Sequence, residues 1–203
     1  ILDGTSAGSE QAAALARLPS MTRDPVRVVG WRELGSAVNE LTVELDRRQQ
    51  APDEHFPPIF VIVYGLQKLR DLRRQEDDFS FSRSVGERPP DPAKQFTAIL
   101  RDGPPLGIHA IVWCARLNNL NRAWDRQTLR EFEMRVAFQM SVNDSSTFID
   151  TPLAGKLGMF RALFHSEEQS VLEKFRPYRW PGDEWIDWIR GRLAGGDDSP
   201  GAT

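Results

Sequence analysis

The chain has 203 residues and a mass of 23.0 kDa, and its 26 basic and 29 acidic side chains give a formal net charge of −3. Hydrophobic residues make up 40% and charged residues 27%, a composition typical of a soluble globular protein that excludes collagen-like, membrane-spanning and wholly disordered chains. A chain of this length can bury about 70% of the surface that it exposes when unfolded, which is enough for one hydrophobic core.

The first part of the chain predicts strands that alternate with helices. The opening residues 1–4 (ILDG) are typical of the end of a buried strand, and we expect that upstream structure of the same fold has been cut away. Polar residues followed by an Ala-rich stretch predict a capped helix over residues 5–18, and a short strand follows at 26–29. One apolar helical face predicts a helix over 31–50, and the unbroken apolar run at 59–64 predicts a central parallel strand.

The middle of the chain combines a basic segment with a long break. Residues 66–75 predict a short helix of strong basic character, and residues 76–92, which mix charge, Gly, Ser and Pro, predict a mobile surface loop. Asp91 as a cap and Pro92 in the first turn predict a helix that ends near residue 101. Residues 108–114 predict another buried strand.

The last part of the chain predicts further strands and helices before a polar tail. The predicted elements are a polar helix at 118–131, a strand at 135–140, a short helix at 144–149, a hairpin of strands 161–165 and 171–175, a closing helix that contains Trp185 and Trp188, and a disordered tail at 191–203. The alternation of strands and helices predicts an α/β fold with a mostly parallel sheet flanked by helices, in a domain that covers residues 1–190.

The sequence argues against a metal site, a catalytic cysteine and a phosphate-binding P-loop. None of His55, His109 and His165 has another ligand at metal-binding spacing, so we predict no metal site. Cys114 lies in an apolar strand, which favours inert packing, and a single cysteine fits a reducing cytoplasm. The Gly-Lys pair at 155–156 lacks the other residues of a phosphate-binding P-loop, so the chain shows no means of holding a nucleoside triphosphate.

The end of the strand at 59–64 reads Tyr64-Gly65. In P-loop motors a buried strand of this kind ends in Asp or Asp-Glu, which hold magnesium and orient the attacking water. Tyr and Gly can do neither. An ordinary core strand that ends in a turn explains these residues without catalysis.

Two groups of side chains leave a choice between structural roles and nucleic-acid contacts. The first group is either a solvated helix face or a contact to a phosphate backbone, and it consists of Lys68, Arg70, Arg73 and Arg74. For the second group we favour core packing of a helix over base stacking, and it consists of Trp180, Trp185 and Trp188 near Arg176 and Arg179. Because the net charge is negative, we do not expect this chain alone to bind DNA.

Residues 98–157 carry four short motifs in a fixed order. The first lies in residues 100–116, which contain Leu-Arg, Gly-Ile-His and a strand that ends in Arg116, and it resembles the LLR…GIH…ATQR segment of the FtsK/SpoIIIE family of DNA-translocating ATPases. Residues 135–141 (RVAFQMS) are similar to RIAFQVS, residues 144–150 (DSSTFID) to DSRTILD, and residues 150–157 to D-x-P-x-A-x-K-L. Four motifs in this order are far more specific than one, and the similarity covers roughly residues 58–165.

The resemblance implies a RecA-like P-loop NTPase core that is truncated on its N-terminal side. Residues 1–3 would form the second strand of the RecA-like sheet, and the P-loop strand and its helix would lie upstream. We then expect the strands at 59–64, 108–114 and 135–140 to be parallel neighbours, with a vacancy beside 59–64.

The resemblance also implies site residues. The full-length family binds ATP and Mg²⁺, and the neighbours of the nucleotide would be Asp3, Tyr64, Gly65, Cys114 and Arg116. The family's acidic pair is replaced by Tyr64-Gly65, its Thr-Gln sensor by Cys114-Ala115, and the arginine of DSRT by Ser146. We therefore predict no catalytic residue, no cofactor in this segment and no isolated ATPase activity.

The partners implied by the resemblance are neighbouring subunits of a ring, usually a hexamer, and double-stranded DNA that is pumped through it for cell division and chromosome segregation. Candidates for the subunit interface are Arg135, Gln139, Asp144 and Ser146, and candidates for DNA contact are Lys68, Arg70, Arg73 and Arg74. We expect a cytoplasmic segment without membrane contact, since any membrane anchor of the parent protein would lie elsewhere in its chain.

Three functional interpretations remain open at this point. The chain is part of an ATP-driven DNA translocase with degenerate catalytic residues, or it is a non-catalytic protein-interaction or regulatory module on a RecA-like fold. Motor ATPases of type VII secretion carry altered modules of the second kind beside active ones. The plainest alternative is an α/β domain with no link to nucleotides.

Overall fold

The computed structural model describes residues 1–22, 24–74, 90–179 and 181–194. The strands are β1 (Leu2–Asp3), β2 (Val29–Gly30), β3 (Ile59–Tyr64), β4 (Ile108–Trp113), β5 (Met134–Phe138), β6 (Ala162–Ser166) and β7 (Val171–Phe175). The α-helices are α1 (Glu10–Arg17), α2 (Leu34–Gln50), α3 (Pro92–Asp102), α4 (Leu117–Ala123), α5 (Arg126–Arg130), α6 (Val142–Ile149) and α7 (Asp183–Ala194).

The first four strands form a parallel sheet in the order β2-β1-β3-β4. β3 pairs with β1 on one side and with β4 on the other, and Tyr64 lies opposite Asp3 in one pair and opposite Trp113 in the other. Helices connect these parallel strands, as a crossover connection requires. The predicted α/β fold with a mostly parallel sheet flanked by helices is confirmed.

The main core lies between one face of this sheet and the helices α2, α3 and α4. Val61 and Val63 of β3 are buried there. Phe60, directly before Val61, points to the opposite face of the sheet and is exposed. The helices contribute buried side chains at helical spacing, and these are Leu34, Val38 and Leu45 of α2, Phe96, Ile99 and Leu100 of α3, and Leu120 and Ala123 of α4.

A second sheet is antiparallel and has the order β5-β6-β7. Its β6–β7 hairpin confirms the predicted hairpin of 161–165 and 171–175. One face of this sheet packs on α6 and the 3₁₀ turn Pro152–Lys156, through a small core of Ala137, Ile149, Ala154, Leu157 and Leu163.

The expected arrangement of three neighbouring parallel strands is wrong in one respect. β3 and β4 are parallel neighbours, but β5 pairs in antiparallel register with β6 of the hairpin. The expected vacancy beside 59–64 is also wrong, because β3 has a partner on each side. Among the described strands, the unpaired edges belong instead to β2 and β4 in the parallel sheet and to β5 and β7 in the antiparallel sheet.

The basic segment after β3 is two 3₁₀ turns and not the predicted α-helix over 66–75. The turns are Leu66–Lys68 and Arg70–Leu72, and Leu69 between them leaves the helical region, with φ −87° and ψ 83°. Leu66, Leu69 and Leu72 are all buried, and their spacing of three residues matches the three residues per turn of a 3₁₀-helix. With three residues per turn, the three leucine side chains point into the core on one side, whereas in an α-helix they would point in different directions.

Two predicted segments extend beyond the described residues. The predicted loop at 76–92 lies outside them up to residue 89, and its last residues form the start of α3, with Asp91 as the cap. The predicted tail began too early, because residues 191–194 belong to α7, and residues 195–203 lie outside the described part of the chain.

The closing helix turns a different face inward from the one we predicted. Trp185 and Trp188 are 51% and 56% exposed, whereas Ile186 is fully buried, so the predicted core packing of these two tryptophans is wrong. Contacts to the first helical region orient α7, because Arg17 pairs with Asp183 at 2.8 Å and Arg190 donates to the carbonyl of Ser20 at 3.2 Å. Trp180 lies outside the described residues.

A buried arginine joins α2 to the start of β3 and to the turn before β4. The side chain of Arg48 is 1% exposed, and its guanidinium donates to the Glu44 carboxylate at 2.8 Å, to the Leu106 carbonyl at 2.7 Å and to the Pro57 carbonyl at 2.9 Å. Hydrogen bonds from Arg47 and Arg48 lower the pKa of Glu44 to about 2, so its carboxylate stays charged at neutral pH.

We predict that Arg48→Met lowers the free energy of unfolding by about 3 kcal/mol, because it leaves two carbonyls and one carboxylate without their buried donor. Arg47→Met is the matched control, since Arg47 bonds the same Glu44 from the exposed surface and should contribute less than about 1 kcal/mol. Urea unfolding of both variants measures the difference. If both variants lost the same free energy of unfolding, Arg48 would not be what joins α2 to the start of β3 and to the turn before β4.

Candidate functional site

The candidate site lies at the carboxyl ends of β1, β3 and β4. Ligands of open parallel sheets bind outside these ends, at the point where the chain connections leave in opposite directions. That point falls between β1 and β3, because β1 leads through α1 to β2 on one side and β3 leads through α3 to β4 on the other. The structure therefore brings together three residues implied by the resemblance, which are Asp3, Tyr64 and Gly65.

Two glycines close the gap between β1 and β3. The backbone N–H of Gly4 donates to the Tyr64 carbonyl at 2.7 Å. A Cβ on Gly4 would lie 2.4 Å from the backbone oxygen of Gly65, and a Cβ on Gly65, whose φ is +77°, would lie 3.0 Å from the oxygen of Gly4. The two backbones therefore touch just beyond the last paired residues of β1 and β3.

The side chains beside this glycine contact are mostly uncharged. Tyr64 stacks on Trp113, with ring centroids 4.8 Å apart and an interplanar angle of 10°. The carboxylate of Asp3 accepts a hydrogen bond from the backbone N–H of Thr5 at 2.7 Å, as in a local turn. Tyr64, the first of the two positions where the resemblance would place an acidic pair, is thus part of an aromatic pair with Trp113 of the neighbouring strand.

Gln67 is a site residue that the sequence did not reveal. Its Oε1 accepts from the backbone N–H of Ala115 at 3.2 Å, and its carbonyl accepts from the guanidinium of Arg73. These bonds fix the turn after β3 to the turn after β4. Only the contact across two strand ends reveals this role, because Gln67 carries no recognisable spacing signal.

Cys114 lies half-buried in the same layer. Its Sγ is 3.5 Å from the Arg116 carbonyl, to which the thiol donates. Burial raises the pKa of the Cys114 thiol, so the protonated and weakly nucleophilic form persists at neutral pH.

A basic rim surrounds these strand ends. The backbone N–H of Arg74 donates to the Ala123 carbonyl at 3.1 Å, and its guanidinium lies 3.7 Å from the Asp125 carboxylate, so the turns after β3 and the segment after β4 form one surface. Hydrogen bonds from Thr128 and the nearby Arg74 lower the pKa of Asp125. We call this surface the basic rim, and it consists of Lys68, Arg70, Arg73, Arg74, Arg116 and Arg122.

The four interface candidates lie away from this site, on β5 and α6. Arg135 is half-buried, and its guanidinium donates to the carbonyls of Leu129, Phe132 and Phe148 at 2.9–3.2 Å. Gln139 follows β5 and is exposed, Asp144 lies in the first turn of α6, and Ser146 is exposed on α6.

The residues at the strand ends do not fit Mg²⁺. Tyr64 and Gly65 offer no carboxylate, and Asp3 is held by its own turn. Within residues 1–22, 24–74, 90–179 and 181–194, no three His, Cys, Asp or Glu side chains form a group that could hold a metal ion. In the same described part of the chain, no helix has both the length and the apolar character to cross a membrane.

Comparison with known proteins gives one structural similarity to report. No protein-family model matches the chain, and no curated protein matches it. Among solved structures, the chain is similar to the cytoplasmic domain of the Thermomonospora curvata type VII secretion ATPase EccC, with 18% sequence identity and a TM-score of 0.49. The match covers 95% of this chain and 21% of that chain, so this chain spans about a fifth of that protein's length.

We predict that Gly4→Ala lowers the free energy of unfolding by about 3 kcal/mol, because the added methyl group overlaps the backbone of Gly65. Gly8→Ala is the control, since Gly8 has open space around its Cβ, and its positive φ alone should make the substitution cost about 1 kcal/mol. Chemical unfolding compares the two variants. A smaller loss for Gly4→Ala than for Gly8→Ala would mean that the strand ends are open.

Proposed function

We propose that the chain is a degenerate module of an FtsK/SpoIIIE-type motor, which does not hydrolyse ATP at its own strand ends and acts through contacts with a neighbouring motor domain. The observation that carries this proposal is the occupation of the strand ends by the Tyr64–Trp113 stack and the Gly4–Gly65 contact. The RecA-like assignment is supported by the four ordered motifs and by a parallel sheet in which the strand 59–64 lies between residues 2–3 and 108–113.

The chemistry of hydrolysis argues against activity at this edge. Groups that stabilise charge in a transition state each typically contribute about 10²–10³ in rate. A phenol ring stacked on an indole and a glycine supply neither a magnesium ligand nor a base to orient water. At the switch point the two glycines bring the backbones of β1 and β3 together and offer no side chain to a phosphate.

The same edge retains features that suit protein contact. In a ring of motor domains, the strand ends face the neighbouring subunit, and here they present an exposed Arg116 and a partly exposed aromatic pair. Gln67 and the glycine contact hold these groups on a fixed backbone. A rigid surface loses little conformational entropy on binding, which favours an interaction role.

We predict that the chain alone releases no phosphate from magnesium-ATP above background, and that it changes the ATPase rate of a cognate FtsK/SpoIIIE-type motor domain with an intact P-loop by at least about twofold. Arg116→Glu should abolish this effect, because it reverses the charge at the contact edge. Arg192→Glu, an exposed arginine on α7, is the control and should leave the effect intact.

Two outcomes would contradict the proposal. Turnover of about 1 s⁻¹ or more by the chain alone, within the usual range of enzymes, would show a working active site. An unchanged rate of the motor domain at saturating chain would remove the interaction role.

Duplex DNA is a second candidate partner, and the basic rim favours it. Arg116 and Arg122, which follow β4 and are exposed, add to the four cations that follow β3, and these six side chains support contact with a phosphate backbone although the net charge is −3. Each phosphate contact releases condensed counterions, which makes the affinity depend on salt.

For this second candidate we predict binding of a labelled duplex at about 50 mM salt that weakens at least tenfold at about 200 mM. Lys68→Glu with Arg70→Glu should remove the binding, whereas Lys174→Glu with Arg192→Glu makes the same change in net charge on β7 and α7, outside the parallel sheet, and should not. Fluorescence anisotropy measures both. The same weak signal at both salt concentrations would end this candidate.

A further inference from the structure

The closing helix α7 presents an aromatic face to solvent. Its opposite side anchors it to the domain, because Ile186 is fully buried. Trp185 and Trp188 are exposed, and their ring centroids lie 6.5 Å apart, so the two indoles form one continuous surface. The Cζ of Arg192 lies 5.2 Å from the ring centroid of Trp188. We call this surface the tryptophan face, and it consists of Trp185, Trp188, Gly191 and Arg192.

The spacing of these residues places them along one side of the helix. Trp185, Trp188 and Arg192 are separated by three and four residues, which is the period that aligns side chains on one helix face. In a helix that packs on a single core, the side opposite the core is polar. Because Ile186 already faces the core, α7 has two apolar sides, and an exposed apolar side of this kind marks an interaction surface.

Gly191 lies within the tryptophan face although nothing in the described part of the chain requires a glycine there. It belongs to α7, and glycine is less favourable in a helix than every residue except proline. A Cβ at this position would meet no other described atom within 4 Å. The missing side chain leaves a hollow on the helix surface three residues after Trp188, and such a hollow suits a large side chain from another helix.

The charges of α7 are divided between its two halves. Asp183, Glu184 and Asp187 lie in the first half, and Arg190 and Arg192 lie in the second half. Two copies of this helix that run antiparallel therefore place acidic residues beside basic residues at both ends of their contact. The dipoles of the two helices then also oppose each other, which favours the same orientation. A parallel pair would place like charges together.

We propose that α7 pairs with α7 of a second copy of this chain, antiparallel and about a two-fold axis at Trp188. Trp185 and Arg192 are equally far from the helix position just after Trp188. Antiparallel pairing therefore brings Trp185 of each copy beside the guanidinium of the partner's Arg192, which forms a cation–π contact. The two Trp188 rings meet at the axis, and each covers the hollow at Gly191 of the partner subunit.

The size of this contact predicts a reversible dimer. A helix of 12 residues is about 18 Å long, and two such helices packed side by side bury less than the roughly 1,200 Å² of a stable interface. We therefore expect a dissociation constant of about 10–100 µM. Both copies use the same surface, so the contact closes with two chains and does not build a ring. It goes beyond the proposed contact of the strand ends with a motor domain.

Sedimentation equilibrium of the chain at about 5–500 µM measures this association. Trp188→Ala should raise the dissociation constant at least about tenfold. Gly191→Leu should do the same by filling the hollow, although leucine favours the helix more than glycine does. Trp31→Ala is the matched control and should leave the dissociation constant unchanged, because Trp31 is 64% exposed and carries an arginine at 5.0 Å from its ring, as Trp188 does at 5.2 Å.

Disulfide formation in a Cys114→Ser background tests the orientation. Glu184 and Gly191 are seven residues apart and lie on the same side of the helix, so antiparallel pairing places Glu184 of one copy beside Gly191 of the partner subunit. We expect a mixture of Glu184→Cys and Gly191→Cys chains to form the mixed disulfide at least about fivefold faster than Glu184→Cys chains couple to each other. In the antiparallel pair the two copies of position 184 are about 13 Å apart along the helix axis.

Three results would overturn the inference: a monomer at about 500 µM, an unchanged dissociation constant for Trp188→Ala, or faster coupling of Glu184→Cys chains to each other than to Gly191→Cys chains. Arg192→Glu separates this inference from the proposed function. The variant should raise the dissociation constant of the dimer, since it removes the cation from the partner's Trp185, and it should leave the effect on a motor domain intact.

Discussion

The backbone contact between Gly4 and Gly65 is the constraint on which the candidate site depends. Because neither residue has a side chain, β1 and β3 approach until their backbones touch just beyond the last paired residues. This approach places Tyr64 beside Trp113 and lets the turn after β3 meet the turn after β4 through Gln67. A larger residue at either glycine would push the ends of β1 and β3 apart, and the distance between the aromatic pair and the basic rim would no longer be fixed.

The Gly4–Gly65 contact also bears on the chemistry of the strand ends. Burial fixes the hydrophobic side chains of the sheet and its connections. The side chains at the strand ends are instead an aromatic pair and a carboxylate that is held in its own turn. We interpret the exposed groups at this edge as a contact surface, as proposed above.

Sequence patterns predicted the elements whose hydrophobic period is long and regular. The run at 59–64, the capped start of α3 at Asp91 and the hairpin of β6 and β7 could all be located without coordinates. The partner of β5 could not, because its alternating residues fit either sheet and only the proximity of β6 decides the pairing. The inward face of α7 was also missed, since Ile186 and the two tryptophans lie on adjacent helical positions and packing against the first helical region selects between them. The contact between Gly4 and Gly65 could not be predicted either, because the two residues are far apart in sequence and each alone indicates only a turn.

Trp113 gives the protein an optical reporter at an informative place. Its indole stands at the end of β4, on the uncovered side of the sheet and against the ring of Tyr64. Indole emission shifts to shorter wavelengths when water leaves its surroundings, and a neighbouring phenol can transfer excitation energy to it. When the other five of the chain's six tryptophans are replaced by phenylalanine, the wavelength of the Trp113 emission therefore registers whether this side of the sheet is wet or dry, without any attached dye.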